Sequence, residues 1–342
     1  MTRTGVVIVD DSALMRQILR AIVEDSEDLQ VLGEASDPLQ AREVIRATNP
    51  DVITLDVEMP RMDGLEFLRR LMHLRPTPVV MISTLTVRGS GVALRAFELG
   101  AVEVIAKPDL RQAQHMHAYA EDLRQILRAA ASARLRPQAV STLPAAPALN
   151  TRIDKVVVVG ASTGGTEAIK ALLTALPAQM PPILIAQHMP PEFTASFARR
   201  LDGLCALSVK EAADGEVLQR GHVYIAPGGQ HLLLEKKDAQ TSVCRLSDSE
   251  PVNRHRPSVD VLMQSVAEVA AQKACGILLT GMGKDGAEGL LKLRQAGAWT
   301  CAEDESSCIV FGMPRAAIQL AAAVDVLPLN RIAAALMAQL AH

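Results

Sequence analysis

Short β-branched runs alternate with amphipathic helical stretches along this chain, in two series separated by one proline-containing break. In the first series, residues 6–9, 52–56, 79–82 and 102–106 read as strands. Residues 14–24, 38–48 and 65–74 carry apolar side chains at helical spacing, and 115–135 reads as a further helix with Leu123, Ile126 and Leu127 on one stripe. Strands that are apolar throughout are buried on both faces, so the rhythm predicts βα units around a parallel sheet covered by helices. Residues 136–152 then hold three prolines, much alanine and no sustained period, the composition of an interdomain linker. A second series follows: strands at 156–159, 183–187, 223–226 and 276–280, and helices at 167–175 and 258–272. It predicts a second parallel α/β sheet.

The bulk numbers agree with two domains, since 342 residues exceed one ordinary core. A net charge of -3 and a pI near 6.3 provide no general attraction to nucleic acid or to an anionic membrane. Aromatic residues make up only 2%, which argues against stacking platforms for single-stranded nucleic acid. The apolar runs are strand-sized rather than membrane-spanning, and a strand begins at residue 5 with no signal-peptide core before it. Cys205, Cys244, Cys275, Cys301 and Cys308 form no C-x-x-C pair, so neither a zinc site nor a disulfide framework is expected. Together these features predict a cytoplasmic protein with reduced thiols and no direct membrane insertion.

Polar residues collect at the predicted strand ends of the first series. Asp10 and Asp11 follow the first strand, Asp56 ends a later one, Ser83 follows 79–82, and Lys107 follows 102–106. In a parallel sheet these ends share one edge, where ligands bind. Three carboxylates packed there repel unless a cation is present, and hard oxygen ligands with room for water suit Mg²⁺. A metal would also let one carboxylate attack a phosphoryl group. The plainer reading of an Asp-Asp pair is a helix N-cap. The set Asp10-Asp11, Asp56, Ser83 and Lys107-Pro108, with Met59-Pro60-Arg61-Met62-Asp63-Gly64 after the central aspartate, resembles the receiver domain of two-component response regulators. That resemblance implies a flavodoxin-like doubly wound sheet with Asp56 as phospho-acceptor. It further implies Mg²⁺ held by Asp10, Asp11, Asp56 and the backbone carbonyl of Glu58, and phosphoryl contacts from Ser83 and Lys107. Val104 stands where many receivers carry an aromatic switch residue, which leaves the route of the signal open.

The second series opens with Val-Val-Val-Val-Gly160-Ala-Ser162-Thr-Gly164-Gly165-Thr. A dinucleotide fingerprint wants glycine where Ser162 stands, and no acidic ribose ligand follows the next strand. A P-loop wants lysine where Thr166 stands. The run does fit G-x-S-x-G, in which small residues let a strand-to-helix turn expose a serine hydroxyl. An N-capping serine is the alternative. A serine nucleophile needs a base, and the base an orienting carboxylate. Most of the eight histidines have ordinary positions; His222 and His231 flank a strand and His255 sits in a loop. His188 ends strand 183–187 on the edge that carries Ser162. Asp285 lies in a third strand-to-loop break, Leu279-Thr-Gly-Met-Gly-Lys-Asp-Gly286, where a turn aspartate is the plain reading. The Met282 N–H, flanked by glycines, is the candidate oxyanion donor.

Gly160-Ala-Ser-Thr-Gly-Gly165, Gln187-His-Met-Pro-Pro191, Pro251-Val-Asn-Arg-His-Arg-Pro-Ser258 and Thr280-Gly-Met-Gly-Lys-Asp-Gly286 are similar to the catalytic domain of the chemotaxis protein-glutamate methylesterases. The resemblance covers nearly the whole chain. It implies a receiver domain at 1–135, a linker at 136–152 and a Rossmann-like α/β methylesterase domain at 153–342. It also implies hydrolysis of glutamyl methyl esters on chemoreceptors, deamidation of receptor glutamines, and a histidine kinase as phosphodonor. Ser162 would be nucleophile, His188 base then acid, and Asp285 its orienter, with no cofactor for the ester chemistry. Arg254, Arg256 and Lys284 are candidates for meeting acidic receptor residues. The receiver is expected to inhibit the esterase until Asp56 is phosphorylated. A receiver fused to a nucleotide-dependent oxidoreductase, or to a binding output, remains the competing expectation.

Overall fold

The computed structural model describes residues 3–59, 62–84, 90–108, 116–135, 155–239 and 241–341. The expected linker 136–152 lies outside the described residues, as do His115, Pro60 and Arg61. The chain divides into two compact units, Met1–Pro137 and Gln138–His342.

The first unit runs β1 (Thr4–Val9), α1 (Ala13–Glu24), β2 (Leu29–Ala35), α2 (Pro38–Thr48), β3 (Val52–Asp56), α3 (Gly64–Leu74), β4 (Val79–Ser83), α4 (Ser90–Glu98), β5 (Glu103–Ala106) and α5 (Met116–Ala131). Its five strands are all parallel in the order β2-β1-β3-β4-β5. The direction in which successive strands are added reverses between β1 and β3, the switch point at which open sheets of this kind bind ligands. Val6–Val9 of β1, all of β3 and all of β4 are buried, which accounts for their unbroken apolar runs. Polar caps set where the helices start: the Ser12, Asp37 and Asp63 side chains accept from backbone N–H groups of α1, α2 and α3.

The second unit runs β6 (Val156–Ala161), α6 (Gly165–Thr174), β7 (Ile183–Gln187), α7 (Pro191–Asp202), β8 (Ser208–Glu211), β9 (His222–Ile225), β10 (His231–Lys236), β11 (Ser242–Ser247), α8 (Val259–Ala270), β12 (Ala274–Leu278), α9 (Ala287–Gln295), β13 (Trp299–Glu303), α10 (Met313–Gln319), β14 (Asp325–Leu327) and α11 (Leu329–Ala341). Seven parallel strands form one sheet in the order β14-β13-β12-β6-β7-β9-β8, and β10 and β11 form a separate antiparallel pair. From β6 the chain builds outward through β7, returns to β12 on the other side, and builds outward again. The switch point therefore lies between β6 and β12, and the residues that follow these strands are Ser162 and the 279–286 loop. Four of the seven parallel strands were legible from apolar runs. The others are short or charged: β8 is Ser-Val-Lys-Glu and β14 has only three residues.

Candidate functional site

At the end of β6 the backbone turns sharply into α6. The Ser162 N–H donates to the Thr280 carbonyl across the switch point (3.0 Å), and the Ser162 carbonyl accepts from Gly165 N–H (2.7 Å). Gly164 takes φ +78 at the N-cap position of α6, and no side chain caps that helix. Ser162 is thus not the capping residue that its place in the sequence allowed. The turn is tight enough that a Cβ on Gly165 would stand 2.1 Å from Gln187 Oε1. Gln187 itself is buried, and its amide donates to the carbonyls of Ser162 (2.9 Å) and His188 (3.0 Å). One side chain thereby ties the ends of β6 and β7 together. Gln187 stands in the quoted Gln187-His-Met-Pro-Pro191 run, but its tying role was not read there, because a glutamine at a strand end has no signature.

His188 leaves β7 with its N–H on the Ala161 carbonyl (3.1 Å). Its Nε2 lies 2.8 Å from Asp285 Oδ2, while its Nδ1 is buried with no hydrogen-bond partner. A carboxylate accepts only, so Nε2 carries the proton and Nδ1 the lone pair. No hydrogen bond joins Ser162 Oγ to His188 among the described residues; resting enzymes commonly tighten this contact only with substrate.

Asp285 is fully buried and saturated with donors. Oδ1 accepts from Asn253 Nδ2 (2.8 Å), Ser258 Oγ (2.8 Å) and Asp260 N–H (3.3 Å). Oδ2 accepts from Val259 N–H (2.6 Å) as well as from His188. Burial alone would raise its pKa, but the bond and charge of His188 and the bonds from Asn253 and Val259 outweigh it and hold the carboxyl below its usual range. Asp260, also buried, is pushed the other way by desolvation and by the Asp285 charge. Its Oδ2 accepts from the same Asn253 amide (2.8 Å) and its Oδ1 from Gly289 N–H (2.6 Å).

His255, assigned an ordinary loop position from sequence, stacks on His188 with ring centroids 3.6 Å apart and planes 13° from parallel. Desolvation, then the neighbouring His188, lowers its pKa to about 4, so it is neutral near pH 7. Histidines 67 residues apart give no sequence signal of a stack. The loop after β12 is held by Gly281 N–H on the Val310 carbonyl and by Gly312 and Met313 N–H on the Gly281 carbonyl. Met282 is half-buried, and no hydrogen bond among the described residues engages its N–H. Arg254 and Lys284 are exposed, but Arg256 donates to the carbonyls of Asp248 and Ser249, so that guanidinium has an internal role.

In the first unit Asp10, Asp11 and Asp56 offer carboxylate oxygens within 4.8 Å of one another; Asp10 and Asp56 are buried and Asp11 is exposed. Lys107 Nζ reaches Asp56 Oδ2 at 2.7 Å and Asp10 Oδ2 at 3.1 Å. Desolvation, with the Asp10 charge, raises the Asp56 pKa against the pull of Lys107. Apart from its ion pair with Lys107, Asp10 Oδ2 has no hydrogen-bond partner. An acceptor-rich, charge-crowded pocket fits a divalent cation, and it is typical of a receiver Mg²⁺ site. Ser83 is buried where β4 ends, one strand from Asp56, with its carbonyl on Lys107 N–H (2.8 Å). The Glu58 N–H donates to Asp56 Oδ1 at 3.3 Å. Val104 is buried on β5.

Known proteins match both units. The CheB methylesterase family matches residues 157–336, and the response regulator receiver domain matches residues 6–119. A protein-glutamate methylesterase/protein-glutamine glutaminase of Chromohalobacter salexigens is 55% identical over 97% of this chain and 95% of its own length. Its counterpart in Salmonella typhimurium is 52% identical over 99% of this chain and 98% of its own. The crystal structure of the Thermotoga maritima CheB methylesterase catalytic domain superposes with a TM-score of 0.53 at 43% identity, covering 54% of this chain and 97% of that one. The oxidoreductase and binding-output readings fall with these matches. This chain belongs to the CheB family: it is a response regulator receiver joined to a methylesterase, a protein-glutamate methylesterase/protein-glutamine glutaminase.

Proposed function

We propose that Ser162, His188 and Asp285 carry the ester hydrolysis, acting on glutamyl methyl esters of chemoreceptors. The observation that carries the assignment is the division of labour on the His188 ring: Nε2 is engaged by Asp285, and Nδ1 is buried and bare. In this reading Nδ1 takes the Ser162 proton as Oγ attacks the ester carbonyl. The imidazolium that forms is stabilised by Asp285, and the oxyanion is met by the Met282 N–H. Nδ1 returns the proton to the methoxide as it leaves as methanol. Water then attacks the acyl-enzyme by the same route, freeing glutamate and Ser162. A glutamine side chain enters the same acyl-enzyme with ammonia as leaving group, so both activities use one site. Exposed Arg254 and Lys284 would meet acidic groups of the receptor helix.

In the receiver, Asp56 is the phospho-acceptor, with Lys107 and Ser83 contacting the phosphoryl oxygens and a chemotaxis histidine kinase as donor. Asp10, Asp11, Asp56 and the Glu58 carbonyl would hold Mg²⁺, which when bound supplies charge neutralisation for phosphoryl transfer. We place the receiver at 1–135, a linker at 136–152 and the catalytic domain at 153–342, all in the cytoplasm. Among the described residues no helix is long and apolar enough to cross a membrane. The fusion of a switch to a hydrolase supports inhibition that phosphorylation relieves. Methanol release from methylated receptor, with and without acetyl phosphate and Mg²⁺, tests the whole reading. A rate that acetyl phosphate leaves unchanged rejects the regulation, and an absence of methanol rejects the activity.

A further inference from the structure

One short turn touches both the base and its orienting carboxylate. Val252 N–H donates to the His255 carbonyl (3.1 Å) and His255 N–H to the Val252 carbonyl (2.9 Å), closing a two-residue turn. Its central residues Asn253 and Arg254 both lie in the left-handed region, at φ 52 and φ 68. This is the geometry of a type I′ turn, which glycine usually supplies. Asparagine tolerates it, whereas arginine there is strained. Strain of this kind persists where the surroundings hold it and where it serves a site. Here its effect is to turn two neighbouring side chains onto the triad. The Asn253 amide reaches Asp285 Oδ1 and Asp260 Oδ2, and the His255 ring lies flat on His188. The far end of the loop is tied down by Gly229 N–H on the Arg256 carbonyl and by the Arg256 guanidinium on the Asp248 and Ser249 carbonyls.

We propose that the Val252–His255 turn is a positioning clamp for catalysis, in which Asn253 fixes the Asp285 carboxylate and His255 fixes the plane of His188. The proposal rests on the triad reading above. The physical need is plain on both sides. Asp260 and Asp285 are two buried carboxylates, and the Asn253 NH₂ is the group that donates to both at once. Without it Asp285 keeps the Ser258, Val259 and Asp260 donors but loses the one side chain that bridges it to Asp260, so the repulsion between the two carboxylates rises and shifts Asp285 against His188. His188 has one ring nitrogen tethered and the other bare, so a single bond leaves the ring free to swing about Nε2. A parallel ring at 3.6 Å removes that freedom. His255 is neutral in the working range. It therefore adds a stacking surface without placing a second positive charge beside the imidazolium formed during reaction. Neither residue is assigned contact with substrate; both act through the triad.

The test is phosphonylation of the full-length protein by a fluorophosphonate, followed by mass spectrometry. In this step Oγ forms the bond to phosphorus, fluoride leaves, and His188 takes the serine proton. Misplacing a catalytic group by about 1 Å can cost as much as 10²-fold in rate. We therefore expect the limiting labelling rate to fall about 10-fold or more in His255→Ala and Asn253→Ala, with half-saturation within about twofold of wild type. His255→Phe keeps a flat ring and should restore most of the rate, which a loss of fold would not do. If His255→Ala does not fold, His255→Phe and Asn253→Ala decide the matter. Wild-type labelling rates in Asn253→Ala and His255→Ala overturn the clamp, as does a His255→Phe variant as slow as the alanine. Ser162→Ala separates the two claims. Labelling lost there but unchanged in the clamp variants refutes the clamp alone, and labelling retained in Ser162→Ala refutes the triad with it.

Discussion

Replacing Asp285 by asparagine preserves the shape of the side chain and removes one acceptor, and the surrounding donors fix how the new amide must sit. Three donors converge on Oδ1, from Asn253, Ser258 and Asp260, so the amide oxygen of an asparagine belongs there. The NH₂ then falls at the Oδ2 position, facing Val259 N–H and His188 Nε2. Donor meets donor. The imidazole can satisfy the new NH₂ only by presenting its lone pair at Nε2, which moves its proton to Nδ1. In the proposed mechanism that is the nitrogen that accepts the Ser162 proton, so the base is lost. A wrong-tautomer triad of this type costs about 10⁴-fold in turnover, or about 5 kcal/mol of transition-state stabilisation. Val259 N–H loses its acceptor as well, and a buried unsatisfied donor costs about 1–3 kcal/mol of stability. Methanol release from methylated receptor gives kcat, and urea denaturation gives the stability. An Asp285→Asn kcat within 10-fold of wild type would refute the tautomer argument, whatever the change in stability.

Other consequences are more local. Gly165→Ala places a Cβ 2.1 Å from Gln187 Oε1, and Gln187 cannot yield without releasing the Ser162 and His188 carbonyls. Such overpacking should cost about 1–3 kcal/mol and lower the Tm of this unit by several degrees in calorimetry. Asp56→Asn should abolish phosphate incorporation from acetyl phosphate, measured by intact mass. Incorporation at wild-type level would move the phospho-acceptor elsewhere. Burial pushes the Glu303 carboxyl up from 4.5 to about 7, over the bonds it accepts from Thr280 N–H and Ser307 Oγ. The folded state then holds this proton more tightly than the unfolded chain, so stability falls as pH rises from about 4.5 to about 7, by up to about 3 kcal/mol. Glu303→Gln should flatten that fall in urea midpoints taken across the range, and an unaltered slope would show that Glu303 does not set it. Asp285 has the opposite sign: its contribution is present above the unfolded value near 3.8 and is lost as pH falls through its depressed folded value.

Much of the fold was legible in the chain because parallel α/β sheets align chemistry with strand ends. Asp10, Asp56, Ser162 and His188 each follow or end a run of buried, mostly apolar residues, and Lys107 follows the short apolar run 104–106; such runs are read directly from sequence. The missed strands have physical reasons. β2 is an edge strand, half-buried along most of its length, and in the hairpin β10–β11 short apolar stretches are broken by charged and polar residues. β13 and β14 were missed on length and composition. Three residues of the supporting shell stand in the quoted motifs, but the contacts they make were not legible. Gln187, Asn253, His255 and Asp260 are ordinary residues until the fold brings 187–188 against 253–260 and 285, and no local pattern encodes that contact. Arg256 shows the converse, since a charge that suggested partner binding is used on two backbone carbonyls.

The central claim is that Ser162 is the residue that forms the acyl-enzyme. Quenched-flow mass spectrometry of wild-type protein with methylated receptor tests it most directly, with methanol release followed in parallel for Ser162→Ala. The expected result is a transient acyl adduct on the peptide that contains Ser162, and no methanol above the uncatalysed rate from the variant. An adduct on any other residue, or undiminished methanol release from Ser162→Ala, would contradict it.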